Sequence, residues 1–139
     1  MADEHDTLSA PLPVPTPTSA PFWEGLQADE VRLQRCDECS AWVYYPRSHC
    51  PRCLCPRLSW HPVSGRGRLH TFTVARQATS PHFHGEVPQL LAVVELDEGP
   101  RLTTTLVGVE PAQISIGMGV EPVFDHVDAD HTLLRYRPA

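Results

Sequence analysis

Cys36-Asp-Glu-Cys39 and Cys50-Pro-Arg-Cys53 form two Cys-x-x-Cys pairs with ten residues between them. A two-residue gap lets both thiolates of a pair reach one ion at about 2.3 Å, and two pairs complete a tetrahedron. The separation is shorter than the commonest zinc-finger spacing but accommodates a hairpin, which is what a rubredoxin-like knuckle requires. Cys36, Cys39, Cys50 and Cys53 are therefore read as the ligands of one metal ion. Zn2+ is the expected ion, and iron is the other that an all-sulfur tetrahedron suits. Four thiolates fill the shell and leave no place for a reacting water, so the ion is expected to be structural. Cys55 and His49 are the candidates for a spare or substitute ligand. All five cysteines fall within residues 36–55, whereas a disulfide framework would spread them along the chain. A thiol redox site is the alternative, and nothing nearby resembles a thioredoxin βαβ unit.

The remaining chemistry-bearing residues are weaker candidates. His82, His84 and Glu86 lie in the loop Ser80-Pro-His-Phe-His-Gly-Glu-Val-Pro88, and His-x-His with a carboxylate can bind a catalytic metal. A partner-facing loop formed by Pro81, His82, Phe83 and His84 is the reading adopted, since one short His-x-His arises readily by chance. His126, Asp128, Asp130 and His131 flank a turn, where short polar residues are expected anyway. Ser64 and Thr73 have no recognisable base and orienting acid. Gly65-Arg-Gly67 lacks the lysine and following helix of a phosphate loop. All eleven basic residues are arginine, which excludes Schiff-base lysine chemistry by this chain. No catalytic residue is assigned.

Charge is divided unevenly. Residues 32–68 hold seven arginines against Asp37 and Glu38, +5, while the rest of the chain holds four arginines against fifteen acids, −11. A tetrathiolate zinc site brings the first figure to about +3. One end of the molecule should attract anions. Arg47, Arg52, Arg57, Arg66 and Arg68 are the candidates to meet a phosphorylated small molecule or an acidic partner surface.

The elements that must position these residues are mostly strands. At 139 residues the chain fits one domain or two small units sharing a core. Residues 1–20 include a proline-alternating stretch and read as a flexible arm, or as one that lies along a partner. A short helix is expected from Pro21 to about Glu30, with Phe22, Trp23 and Leu26 on one face. It completes a ribbon unit spanning 21–58, with Trp42–Tyr45 as a strand between the cysteine pairs. Strands are expected at 60–64, 67–76, 89–97, 101–109, 119–126 and 131–137, with one helical turn inside 110–117. This is the arrangement of a metal ribbon followed by a five-stranded OB-fold barrel over 59–139. The N-terminus is acidic and no apolar run approaches the ~20 residues of a membrane helix, so a cytoplasmic protein off the membrane is expected.

Several segments occur together in one order: Phe22-Trp-Glu-Gly-Leu26, both cysteine pairs, Trp60-x-x-Val-Ser-Gly-Arg-Gly67, Val87-Pro88, Val94-Glu-Leu-Asp-Glu-Gly-Pro-Arg-Leu102, Leu106-Val-Gly-Val109 and Ile116-Gly-Met-Gly-Val120. In these the chain resembles the DUF35 family, whose members join a rubredoxin-like zinc ribbon to an OB-fold. The resemblance covers about residues 21–138. It implies a non-catalytic accessory subunit of a thiolase-superfamily enzyme acting on acyl-CoA. The implied partner is a thiolase-like (SCP2-thiolase type) subunit in a hetero-oligomer, with acyl-CoA at or near the interface. A retro-aldol lyase of steroid side-chain degradation is the favoured partner, and an acetyl-CoA acetyltransferase/synthase complex is the alternative. A single-stranded nucleic-acid module is the remaining rival, and pI 5.7 with net charge −6 argues against it.

Overall fold

Residues 10–139 are described by the computed structural model of the chain, so the first nine residues of the expected arm lie outside the described residues. The remainder of that arm runs without helix or strand to Thr16, with Leu12 and Pro13 half-buried and Val14 exposed. A turn closed by the Ser19 N–H donating to Thr16 O (3.0 Å) then leads into helix α1 (Ala20–Gln27). Pro21 sits in the first turn, where a missing N–H leaves no helical bond unmade. The helix is shorter than expected because Asp29 adopts φ 56°. The N–H groups of Asp29 and Glu30 donate to Leu26 O and Gly25 O, a Schellman stop with aspartate at the left-handed position. Phe22, Gly25 and Leu26 form its buried face. Gly25 is needed for close approach: a Cβ there would lie 2.9 Å from the Arg32 side chain.

Strands β1 (Val31–Cys36), β2 (Trp42–Val43) and β3 (Leu58–Val63) form a three-stranded antiparallel sheet in the order β2-β1-β3. The strand expected at 60–64 thus pairs with β1, from Val31↔Val63 to Cys36↔Leu58, rather than with the barrel. The strand expected over Trp42–Tyr45 stops after two residues, because Tyr45 turns to φ 60°.

The barrel comprises β4 (Gly67–Ala75), β5 (Gln89–Leu96), β6 (Arg101–Thr105), β7 (Gly119–His126) and β8 (Thr132–Pro138), in the order β6-β5-β4-β7-β8. A parallel bridge from Leu106 to Tyr136 joins the two outer strands and closes it. Residues beyond Thr105, expected to continue the strand, make this closure instead. The Leu106 N–H donates to Leu90 O and the Val107 N–H to Tyr136 O, so the chain passes from one side of the seam to the other. Along the seam the Thr104 hydroxyl donates to Leu134 O (2.9 Å) and Arg135 Nη1 to Thr105 Oγ1 (2.7 Å). Strand β5, paired on both sides, alternates, with Leu90, Ala92, Val94 and Leu96 inward and Leu91 and Glu95 outward. The core is filled by these four with Leu69, Leu102, Leu106, Val120 and Tyr136. Leu33 of β1 belongs to the same cluster, so the ribbon sheet is docked on the barrel core.

Two glycines make that docking possible. At Gly67 a Cβ would lie 2.2 Å from Glu95 O, so only glycine allows β4 to start against β5. Gly65 has φ 71°, and a Cβ would lie 2.8 Å from Val31 Cγ2. Its carbonyl accepts a 2.6 Å bond from the hydroxyl of Tyr136, which is fully buried. Burial also pushes the Tyr136 phenol above its ordinary pKa, keeping it a donor. Replacing Tyr136 by Phe leaves Gly65 O buried without this donor. We expect a stability loss of about 1–3 kcal/mol in urea denaturation, with the strand signal in circular dichroism unchanged.

Candidate metal centre

The two cysteine pairs sit in two turns of the same construction. The Ser40 N–H donates to Cys36 O (3.0 Å) and the Leu54 N–H to Cys50 O (2.8 Å). In each turn the residue after the second cysteine is left-handed, Ser40 at φ 62° and Leu54 at φ 65°. Each turn aims both of its sulfurs one way, and the β1–β2 pairing sets the turns face to face. All four Sγ atoms lie within 4.8 Å of one another. The Cys36–Cys53 and Cys39–Cys50 separations are 3.5 and 3.7 Å. A tetrahedral site with 2.3 Å metal–sulfur bonds has sulfur–sulfur edges of about 3.8 Å, so the donor set and its spacing fit such an ion.

Three of these thiols are shifted, and in opposite directions. Cys36 is drawn down to about 6, chiefly by the Cys39 backbone N–H, against the opposing effect of burial. Cys50 is lowered too, chiefly by the Cys53 N–H, and its sulfur also accepts from Arg52 N–H at 3.4 Å. At Cys53 the Cys55 N–H favours the thiolate, but the Cys36 sulfur and burial outweigh it and push the thiol up to about 12. A bound dication removes that conflict by neutralising the thiolates that repel one another.

Cys55 stays outside the group of four. Its sulfur accepts the Arg57 N–H at 3.3 Å and its carbonyl accepts the Cys50 N–H, so it braces the second turn. His49 Nδ1 is bonded to the Ser48 hydroxyl at 3.0 Å. A residue without a sequence signal holds the loop between the pairs: buried Gln34 of β1 donates to Arg47 O (2.9 Å) and accepts from Arg47 N–H (2.8 Å). A lone glutamine in a strand looks solvent-facing from sequence, and only the fold brings this loop over it.

The other candidates are scattered. Arg47, Arg52 and Arg57 are exposed on the ribbon, Arg66 lies in the link to the barrel and Arg68 on β4. Arg57 is paired with Glu38, and Arg66 lies 3.8 Å from Glu121. Pro81, His82, Phe83 and His84 form a 3₁₀ turn spanning Pro81–Glu86, followed by a cis Val87–Pro88 bond. His82, His84 and Glu86 do not converge into a ligand set: among the described residues only the four cysteines do so. Phe83 instead borders a hollow of about 640 Å³ with Leu12, Leu91 and Leu133. His126 ties the barrel to the end of α1, Nε2 to Asp29 Oδ1 at 2.6 Å and Nδ1 to Thr132 Oγ1 at 2.8 Å. Asp128 is lowered mainly by the Asp130 N–H and then by His131, as a turn acceptor would be. Ser64 donates to Glu98.

Comparison with known proteins places this geometry. Residues 23–58 match the family described as the ChsH2 rubredoxin-like zinc ribbon domain, and residues 60–125 the ChsH2 C-terminal OB-fold domain. The chain is 39% identical over 123 residues to a probable enoyl-CoA hydratase alpha subunit of Thermomonospora curvata, spanning 37% of that protein. It is 32% identical to the 3-oxo-4,17-pregnadiene-20-carboxyl-CoA hydratase alpha subunit of Mycobacterium tuberculosis, spanning 39% of it. With a DUF35 domain-containing scaffold protein of Methanocaldococcus jannaschii it shares 35% identity, over 73% of this chain and 74% of the relative. In a solved structure, the Ltp2-ChsH2(DUF35) aldolase, one chain superposes with TM-score 0.81 at 33% identity, covering 91% of this chain and 98% of that one.

Removal of the sulfur pair from the first turn tests the site. In a Cys36→Ser, Cys39→Ser variant we expect metal content by mass spectrometry to fall from about one ion per chain to near zero, with a lowered Tm. In the unaltered chain loading should fall as pH is lowered, because protons compete for the thiolates, and chelator should reproduce the effect at neutral pH.

Proposed function

This chain belongs to the DUF35 family, and from that premise we propose that it is a non-catalytic accessory subunit of a thiolase-like enzyme acting on an acyl-CoA. The enzyme we favour is a retro-aldol lyase of steroid side-chain degradation. The observation that carries the reading is the match, along 98% of its length, to one chain of the solved Ltp2-ChsH2(DUF35) aldolase. The hydratase relatives support the substrate class, one of them being named for a pregnadiene carboxyl-CoA. The chain spans little more than a third of those hydratase subunits, so their hydration chemistry is not carried over.

Within this reading the four cysteines hold one structural zinc ion. A filled sulfur shell has no open position to activate water. The chain divides into an arm (1–20), a helix and ribbon (21–58) and a barrel (59–139), with β3 tying the last two together. Arg47, Arg52 and Arg68 are the strongest of the five arginine candidates for CoA phosphates or acidic partner groups, as none has an acidic partner among the described residues. The Phe83 loop is a second partner-facing surface. The exposed positions on β5 and β6 are Leu91, Glu95, Arg101 and Thr103 rather than stacking aromatics, which disfavours single-stranded nucleic acid. Within this reading the protein works in the cytoplasm; separately, no helix among the described residues is long and apolar enough to cross a membrane.

A bridging role between a thiolase and a synthase is the second reading, supported by the scaffold relative that the chain spans over 74% of its length. Affinity purification of the full chain from its own host separates the two. The first reading expects a thiolase-like subunit, with carbon–carbon lyase turnover by the pair and none by the isolated chain. Co-purification of a thiolase together with a synthase selects the second. Robust turnover by the isolated chain would exclude both.

A further inference from the structure

The two cysteine turns share one backbone but not one side chain. Both require a left-handed residue after the second cysteine, and glycine would take that conformation without strain. The first turn places Ser40 there; the second places Leu54, whose side chain belongs to neither core cluster and is 74% exposed. Leucine at this position is strained by its backbone and stands in water, so neither folding nor metal binding accounts for it. Leu54 borders a hollow of about 370 Å³ whose other walls include Pro56, Arg57 and the cysteines Cys39 and Cys53.

The same combination recurs in the loop between the turns. Tyr45 has φ 60° and is 57% exposed. Each of these strained, exposed apolar residues lies two positions from an exposed arginine without an acidic partner among the described residues: Arg52 beside Leu54, and Arg47 beside Tyr45. A surface made of an apolar knob beside a free guanidinium fits an apolar hollow with an acidic rim.

We propose that the tip of the second cysteine turn, Leu54 with Arg52, is a docking knob that inserts into an acid-rimmed apolar hollow of the thiolase-like subunit, with Tyr45 and Arg47 as its second contact. A second copy of this chain also offers acidic barrel surface, and ribbon on barrel between copies would show as rings, filaments or a reciprocal dimer of the chain alone. The occupant proposed is instead the different chain that the accessory-subunit reading above supplies, and this inference rests on that reading.

Leu54 gives the test its selectivity, because glycine suits its backbone better than leucine. Leu54→Gly and Leu54→Asn should keep the metal content and the Tm of the full chain, or raise the Tm. Titrated against the purified thiolase-like subunit that co-purifies with the unaltered chain, each should bind about tenfold or more weakly. Arg52→Glu should also weaken binding and flatten its salt dependence. Wild-type affinity in both Leu54 variants overturns the knob while leaving the accessory reading intact. Failure of the unaltered chain to capture any thiolase-like subunit removes the reading and the knob together.

Discussion

The convergence of four sulfurs within 4.8 Å is the constraint on which the ribbon depends. Residues 31–58 are too few to bury a core of their own, and their second cluster consists of little more than cysteines with Ala41 and Leu58 against them. Two short turns, a two-residue strand and a loop held by Gln34 cannot offset the entropy of ordering that segment. A metal cross-link closes the loop between the pairs and makes folding and ion binding one event. The site's chemistry is thereby spent on architecture.

The second dependence is the junction between ribbon and barrel. Leu33 enters the barrel core, β3 carries the chain along β1 and out to Ser64, and Gly65-Arg-Gly67 turns it into β4. The turn is sealed by Val31 against Gly65 and by the Tyr136 hydroxyl on its carbonyl. Tyr136 also lies at the bridge that closes the barrel. One side chain therefore contributes both to barrel closure and to ribbon placement.

Electrostatics follows the same division. The arginines of residues 32–68 are carried mainly by the ribbon, while acids dominate elsewhere. Arg57 and Arg66 are already answered by Glu38 and Glu121, and Arg35 lies over Trp42 at 4.8 Å. What remains available is a small set of exposed guanidinium groups beside apolar residues. Such a set contributes to partner choice and encounter more than to folding.

The sequence by itself determined which four cysteines cluster, the ribbon-then-barrel order and the five barrel strands. These are local properties: a two-residue gap fixes which thiolates can share an ion, and alternation with turn residues marks each strand. Even the Asp29 stop and the Tyr45 turn were not legible, because a left-handed non-glycine residue leaves no compositional mark. Tertiary structure alone decided that β3 pairs with the ribbon, that residues after Thr105 close the barrel, and that Gln34 holds the loop between the cysteine pairs. It also separated His82, His84 and Glu86 from any common centre and left Leu54 in water. Each of these depends on which distant backbone comes alongside. That is set by Leu33 and Tyr136 sharing one core and by the Tyr136 bond to Gly65, across 71 to 103 residues of chain, a distance over which periodicity and spacing carry no information.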